Sequence, residues 1–235
     1  MSDRFELFTP EKGTITRALG NTAMRFSIWP NEKNRLQLVN LIENFRDQVL
    51  NGTTTCILSH ENLPGAMLGN SGVITLYPEL ETILGFLDEY LSPLQPEYLV
   101  YTRNMAAWKK SVYNQSVKSD GYTKTYEEFL DETADCGTWE SLEERMKACL
   151  SKNRIQFFRL EDEVQQEYPG SQILEYAGMT YDEIEHLKPL AKQRNPKLNK
   201  GSLEFTRKLN NSSISRDARS EILKIITSGQ DMFAK

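Results

Sequence analysis

Apolar and polar positions alternate along this chain between two periods. Phe5 to Phe8 reads as a short strand, followed by a Gly/Thr turn and a helix. From Leu36 to Leu50, Val39, Ile42, Phe45 and Val49 recur at helical spacing, and Asn51-Gly52 ends the pattern. Thr53 to Leu58 is β-branched and apolar and predicts a buried strand. Pro78 to Leu91 opens on proline and carries Leu80, Ile83, Leu84, Leu87 and Leu91 on one face, a helix. The apolar run Tyr98 to Tyr101 predicts a strand, and a helix follows with Ala107, Val112 and Val117 among polar partners. Thr138 to Leu150 is helical, Arg154 to Leu160 a strand, and Pro169 to Tyr176 a helix closed by Gly178. Strands alternating with helices imply an α/β fold: a central parallel sheet flanked by helices. Ligands of such sheets bind beyond the carboxyl ends of the strands, where His60, Arg103 and Arg159 fall.

The segment after Leu187 breaks the pattern. KPLAKQRNPKLNKG is basic, poor in apolar residues and carries two prolines, and reads as a loop over about 188–201. Two helices follow it, Ser202 to Leu209 and Ser215 to Thr227, the second with Ser215 as its N-cap. No repeat, low-complexity run or domain boundary is visible, so a single domain over 1–235 is expected.

Composition narrows the functional classes. The 235 residues are 39% hydrophobic and 26% charged, with a formal charge of −5. That balance argues against a nucleic-acid partner, which needs a basic footprint, but leaves room for a local anion pocket. Cys56, Cys136 and Cys149 are scattered without a CxxC pair, so neither a disulfide framework nor a metal site is expected. MSDRFELF is not the start of a signal peptide and no window approaches a membrane span, so a cytoplasmic location is the expectation.

The richest chemistry lies in EYLVYTRNMAAWKKSVYNQSVK, residues 97–118. A strand leads to Arg103, and a helix then carries Ser111, eight residues on. Arginine offers a permanently charged fork of donors, the serine a short neutral one, and helix-start amides add partial positive charge. Together they suit a phosphate. This segment resembles the 3′-phosphate segment of sulfotransferases that use 3′-phosphoadenosine 5′-phosphosulfate, and SVYNQSVK is similar to the bacterial branch. The resemblance implies that Arg103 and Ser111 contact the 3′-phosphate of that nucleotide.

TPEKGTITRAL, residues 9–19, places lysine, glycine and hydroxyls between a strand and a helix. It lacks Walker A spacing. It resembles the family's 5′-phosphosulfate loop, which implies nucleotide-binding roles for Lys12, Gly13, Thr14 and Thr16, with Lys12 also stabilising the leaving oxygen. Here Lys12 and Gly13 are adjacent and Ile15 separates the threonines, both departures from the family pattern. TTCILSHENLP, residues 54–64, brings His60 and Glu61 to a strand end, where the family places its general base. Histidine suits that role near neutral pH, and glutamate suits it if burial raises its pKa. IQFFRLEDE (155–163) and ILEYAGM (173–179) resemble a later strand and helix of the family, with Phe158 and Arg159 bordering the nucleotide. Lys200 and Gly201 match in order its late basic-glycine contact to the 3′-phosphate.

The resemblance spans about Arg4 to Thr227. It implies a P-loop-like sulfotransferase architecture and metal-free transfer of a sulfuryl group from the nucleotide to an acceptor hydroxyl or amine. Two rivals stand beside it. One is a catalytically degenerate member that binds nucleotide or acts as a scaffold; the other is a small-molecule kinase.

Overall fold

The computed structural model describes residues 4–150, 154–163, 169–187 and 197–233. The chain is mixed α/β and divides into two compact units, which we describe separately.

The first unit runs over Met1–Met67, Leu76–Asn104 and Gly137–Pro189. Its strands are β1 (Phe5–Phe8), β2 (Thr55–Leu58), β3 (Tyr98–Thr102) and β4 (Ile155–Arg159). They pair as two parallel two-stranded sheets. Phe5 stands opposite Thr55 and Phe8 opposite Leu58; Tyr98 stands opposite Ile155 and Thr102 opposite Arg159. Parallel partners need long crossovers, and helices supply them.

Helix α1 (Ile15–Ile28) starts at Thr14, whose side chain accepts from the Arg17 amide. Leu19, Ala23 and Phe26 form its buried stripe. Helix α2 (Glu32–Val49) follows after a short turn. Asn31 caps it by accepting from the Asn34 amide at 3.0 Å, and the Asn34 side chain donates back to the Trp29 carbonyl at 2.8 Å. Val39, Ile42, Phe45 and Val49 are buried, as the sequence periodicity predicts, Leu38 is buried with them, and Phe45 meets the edge of Phe8 at 5.1 Å between centroids. Helix α3 (Leu80–Tyr90) buries Leu80, Ile83, Leu84 and Leu87, each fully buried side chain stabilising by about 1.5–3 kcal/mol. Helix α6 (Trp139–Cys149) opens on a reciprocal capping pair, Thr138 and Ser141. The unit closes with the short helices α7 (Ser171–Tyr176) and α8 (Tyr181–Glu185).

Buried Glu163 anchors this end of the first unit. It accepts from the Tyr101 hydroxyl on β3, the Ser171 hydroxyl, and the Gly170 amide at 2.9 Å. Burial alone would raise its pKa, but these donors hold the carboxyl below its ordinary value.

The second unit comprises Leu68–Thr75, Met105–Cys136 and Leu190–Lys235. It contains α4 (Met105–Gln115), α5 (Tyr126–Glu132), α9 (Lys200–Asn210) and α10 (Arg216–Ser228). Helix α4 does not stop cleanly. It widens into a π turn at Ser116–Asp120 and ends at Gly121, whose φ of 75° favours glycine. Its last carbonyls are satisfied by side chains: Asn210 donates to Val117 O, and Arg219 to Val117 O and Lys118 O. Phe129, fully buried, packs with Tyr113 and Tyr122 at 5.6 and 5.7 Å. Ser215 caps α10, as its sequence position predicts.

Candidate functional site

The parallel register of β1 and β2 puts two loops on one sheet edge. The Ser59 amide donates to the Phe8 carbonyl at 2.9 Å, so the chain leaves both strands side by side. From β1 it enters Thr9 to Thr14 and then α1; from β2 it enters Ser59 to Pro64. Lys12 and Gly13 on the first loop, and His60 and Glu61 on the second, therefore share one edge, the one expected for ligands in parallel sheets.

The first loop is shaped by its hydrogen bonds. The Thr14 amide donates to Glu11 O at 3.2 Å, and its hydroxyl donates to the same carbonyl at 2.8 Å while accepting from the Arg17 amide. Gly13 has φ of 87°, a conformation glycine supplies without strain. Lys12 is exposed. The first-turn amides of Ile15 and Thr16 have no intrahelical acceptor, so the helix start keeps donors for an anion. Neither threonine presents its hydroxyl to a ligand of the loop. Thr14 spends its hydroxyl on the cap, and Thr16 is fully buried with its hydroxyl unpartnered among the described residues.

The second loop is fitted to α1. The face of the His60 ring lies on Gly20, and a Cβ there would overlap Nδ1, Cε1 and Nε2. Farther along the loop, the Ala66 amide donates to the Ser27 hydroxyl at 2.7 Å, also on α1. The Asn62 amide donates to His60 Nδ1 at 3.0 Å. Burial, with a smaller contribution from the Arg17 guanidinium, pushes the His60 pKa down and keeps the ring neutral. With Nδ1 accepting, the proton of the neutral ring sits on Nε2. His60 therefore presents a donor rather than a free lone pair. Glu61 is exposed at the same edge, and its carboxylate is felt by Tyr77.

The other expected residues fall elsewhere. Arg103 follows β3, at the carboxyl end of the second sheet. Its carbonyl accepts from Trp139 Nε1 at 2.6 Å. Neighbouring Glu161 accepts from the Asn104 amide at 2.7 Å, and this bond, with the charges of Arg159 and Arg103, lowers its pKa. Phe158 lies on β4, 5.6 Å from Tyr101, and Arg159 is exposed at its end. Ser111 lies half-buried on α4 of the second unit. Lys200 and Gly201 are the first two residues of α9 rather than the end of a loop; Asn199 caps that helix and is itself held by Gln230. The rest of the basic stretch, 188–196, lies outside the described residues.

Sequence reading missed Gly20, Arg17 and Tyr77. A glycine inside ITRALGNTAM is a signal for close approach of another group, and it is the clue that was available.

Among the described residues no three His, Cys, Asp or Glu side chains gather as metal ligands, and no helix is long and apolar enough to cross a membrane. Comparison with protein-family models, with curated proteins and with solved structures finds no match.

Proposed function

We propose that the chain is a sulfotransferase of P-loop-like architecture, taking its sulfuryl group from 3′-phosphoadenosine 5′-phosphosulfate. The observation that supports this reading is the shared edge of β1 and β2, which carries a cationic helix-start loop beside a carboxylate and a neutral imidazole. The nucleotide supplies an activated sulfuryl group whose leaving oxygen belongs to a phosphate. Lys12 and the amides of Ile15 and Thr16 hold the negative charge that builds there. Glu61 is the group left to take the acceptor proton, although it is exposed and not buried, because the His60 lone pair at Nδ1 is occupied. Nε2–H of His60 donates a hydrogen bond. Arg103, which follows β3, keeps its proposed role at the 3′-phosphate.

One observation favours binding without catalysis as the second reading. The Thr14 hydroxyl is taken by its loop and the Thr16 hydroxyl is buried, so neither is presented to a phosphate.

Calorimetry with adenosine 3′,5′-bisphosphate tests the first step. Arg103→Ala should weaken binding by about 2–4 kcal/mol, the worth of a charge-assisted bidentate contact. Absence of binding to the unaltered protein overturns both readings. With labelled donor and a panel of alcohols and amines, Glu61→Gln should slow transfer by about 10²–10⁴-fold and leave nucleotide affinity intact. His60→Gln, which keeps a donor, should cost less. The opposite order would return the base to His60, and binding without transfer to any acceptor would select the second reading.

A further inference from the structure

Trp29, in the turn between α1 and α2, is 55% exposed, more than any other aromatic side chain among the described residues. Its backbone is firmly held. The Trp29 amide donates to the Arg25 carbonyl at 2.9 Å, and the Trp29 carbonyl accepts from the Asn31 amide at 2.9 Å and from the Asn34 side chain at 2.8 Å. Pro30 follows and fixes its own φ. A rigid turn therefore holds a large apolar ring in water. The charge around it is one-sided. Residues 12–42 carry five Lys or Arg and a single acid, Glu32, in a chain whose formal charge is −5. Arg17, Asn21 and Arg25 recur every four residues on α1 and are all exposed, so they form a row that leads to Trp29, away from the buried stripe of Leu19, Ala23 and Phe26. Arg25 also reaches α2, donating to Gln37 Oε1 at 3.4 Å. On α2, exposed Lys33 is followed three positions on by Leu36, 47% exposed. The lone acid is matched: Glu32 accepts from Arg35 Nε at 2.8 Å and Nη2 at 2.7 Å.

We propose that this face of the α1–α2 pair docks on an anionic lipid bilayer, with the Trp29 ring among the headgroups and Arg25 and Lys33 against their negative charges. An indole suits that depth, because its apolar body leaves water while its N–H stays with polar groups. Lysines and arginines close by are drawn to the surface charge of anionic lipids. Both features are needed. Two exposed apolar side chains are too few to hold a protein on a neutral bilayer, and cations alone would not call for an indole held out in water. A nucleic acid would use the cations and leave Leu36 idle. A protein partner would use Trp29 and Leu36 without requiring charge of one sign around them. No helix among the described residues is long and apolar enough to cross a membrane, so the contact is peripheral. The proposal does not depend on the transferase reading.

The test sediments full-length protein with vesicles of phosphatidylcholine alone and of phosphatidylcholine with about 30% phosphatidylserine. The protein should bind the mixed vesicles and not the neutral ones, and binding should weaken as salt rises from about 0.05 to about 0.5 M. Each cation at such a surface is worth about fivefold in affinity, so the double variant Arg25→Gln, Lys33→Gln should bind about twenty- to thirtyfold more weakly. Trp29→Ala should bind about tenfold more weakly. All three side chains are exposed, and circular dichroism checks that the variants fold. A second measurement spares the fold further: brominated lipids in the mixed vesicles should quench the tryptophan emission of the unaltered protein, and Trp29→Phe should remove most of that quenching. Failure to sediment with mixed vesicles overturns the proposal, as does equal affinity for neutral ones. Binding that survives both the double variant and Trp29→Ala places the contact elsewhere and overturns the assignment of this face. Capture of a single-stranded oligonucleotide through Arg25 and Lys33, without vesicle binding, would make it a nucleic-acid surface and overturn the proposal as well.

Discussion

Replacing Gly20 with alanine tests how the candidate edge is built. In an exposed helix this change would stabilise by about 0.8–1 kcal/mol through helix propensity. At position 20 the new methyl would stand 2.3 Å from the nearest atoms of the His60 ring, well inside contact distance. Displacing a packed ring costs about 1–3 kcal/mol. The ring also leaves the Asn62 amide, at about 1 kcal/mol more. The net expectation is a loss of about 1–3 kcal/mol, in spite of the better helix former. Urea unfolding followed by circular dichroism measures it. The sign of the effect is the sharper readout. In a His60→Ala background the obstacle is gone, and Gly20→Ala should become stabilising by up to about 1 kcal/mol. Stabilisation by Gly20→Ala in both backgrounds would show that the ring does not rest on this glycine, and the geometry drawn for the edge would fall with it.

Three further outcomes follow from individual contacts. The lowered pKa of Glu163 means that its contribution is complete above the ordinary carboxylate value of 4.5 and is lost as pH falls through its folded value. Glu163→Gln should therefore cost about 1–3 kcal/mol at neutral pH and flatten the acid limb of a stability–pH curve. The His60 pKa is lowered from 6.5, so the unfolded chain binds the extra proton first and stability falls as pH drops below that value. His60→Gln should remove this part of the slope in urea titrations between pH 7 and 5. Arg145→Ala should destabilise by about 1–3 kcal/mol, the range kept low because the ion pair with Glu81 is partly exposed.

Much of the fold was legible because its signals are local. Period and caps located α2, α3, α6 and all four strands to within a few residues, and Ser215 was readable as a cap because the motif spans only four positions. Helix α5 carried such a signal too: Thr125 and Glu128 form a reciprocal cap that sequence reading passed over. The loops at the β1–β2 edge were legible as strand ends. What they do there was not. The Nδ1 contact that takes His60 out of contention as base depends on a backbone amide two residues away, and no side-chain pattern encodes it. The left-handed turn at Tyr77 is imposed by an arginine far along the chain. Strand pairing was illegible for the same reason. Four apolar runs suggest a parallel sheet, but which run lies beside which is decided by crossovers that pattern does not describe.

The pairing has a kinetic consequence. Helices α1 and α2 are neighbours joined by a short turn, and they can dock as soon as both exist. The strands cannot. Phe5 meets Thr55 and Tyr98 meets Ile155, partners 50 and 57 residues apart, and contacts this distant are characteristic of slow folding steps. The excursion from β3 to β4 also passes through the whole segment Met105–Cys136 of the second unit. Loop-closure entropy must be spent on both excursions before the strands return anything, although each doubling of length adds only about 0.6 kcal/mol. Helical structure should therefore run ahead of sheet structure during refolding. An early intermediate would look nearly native by helix content while the loops of Lys12 and Glu61 still followed separate, unpaired strands, and ligand binding would lag behind the recovery of secondary structure.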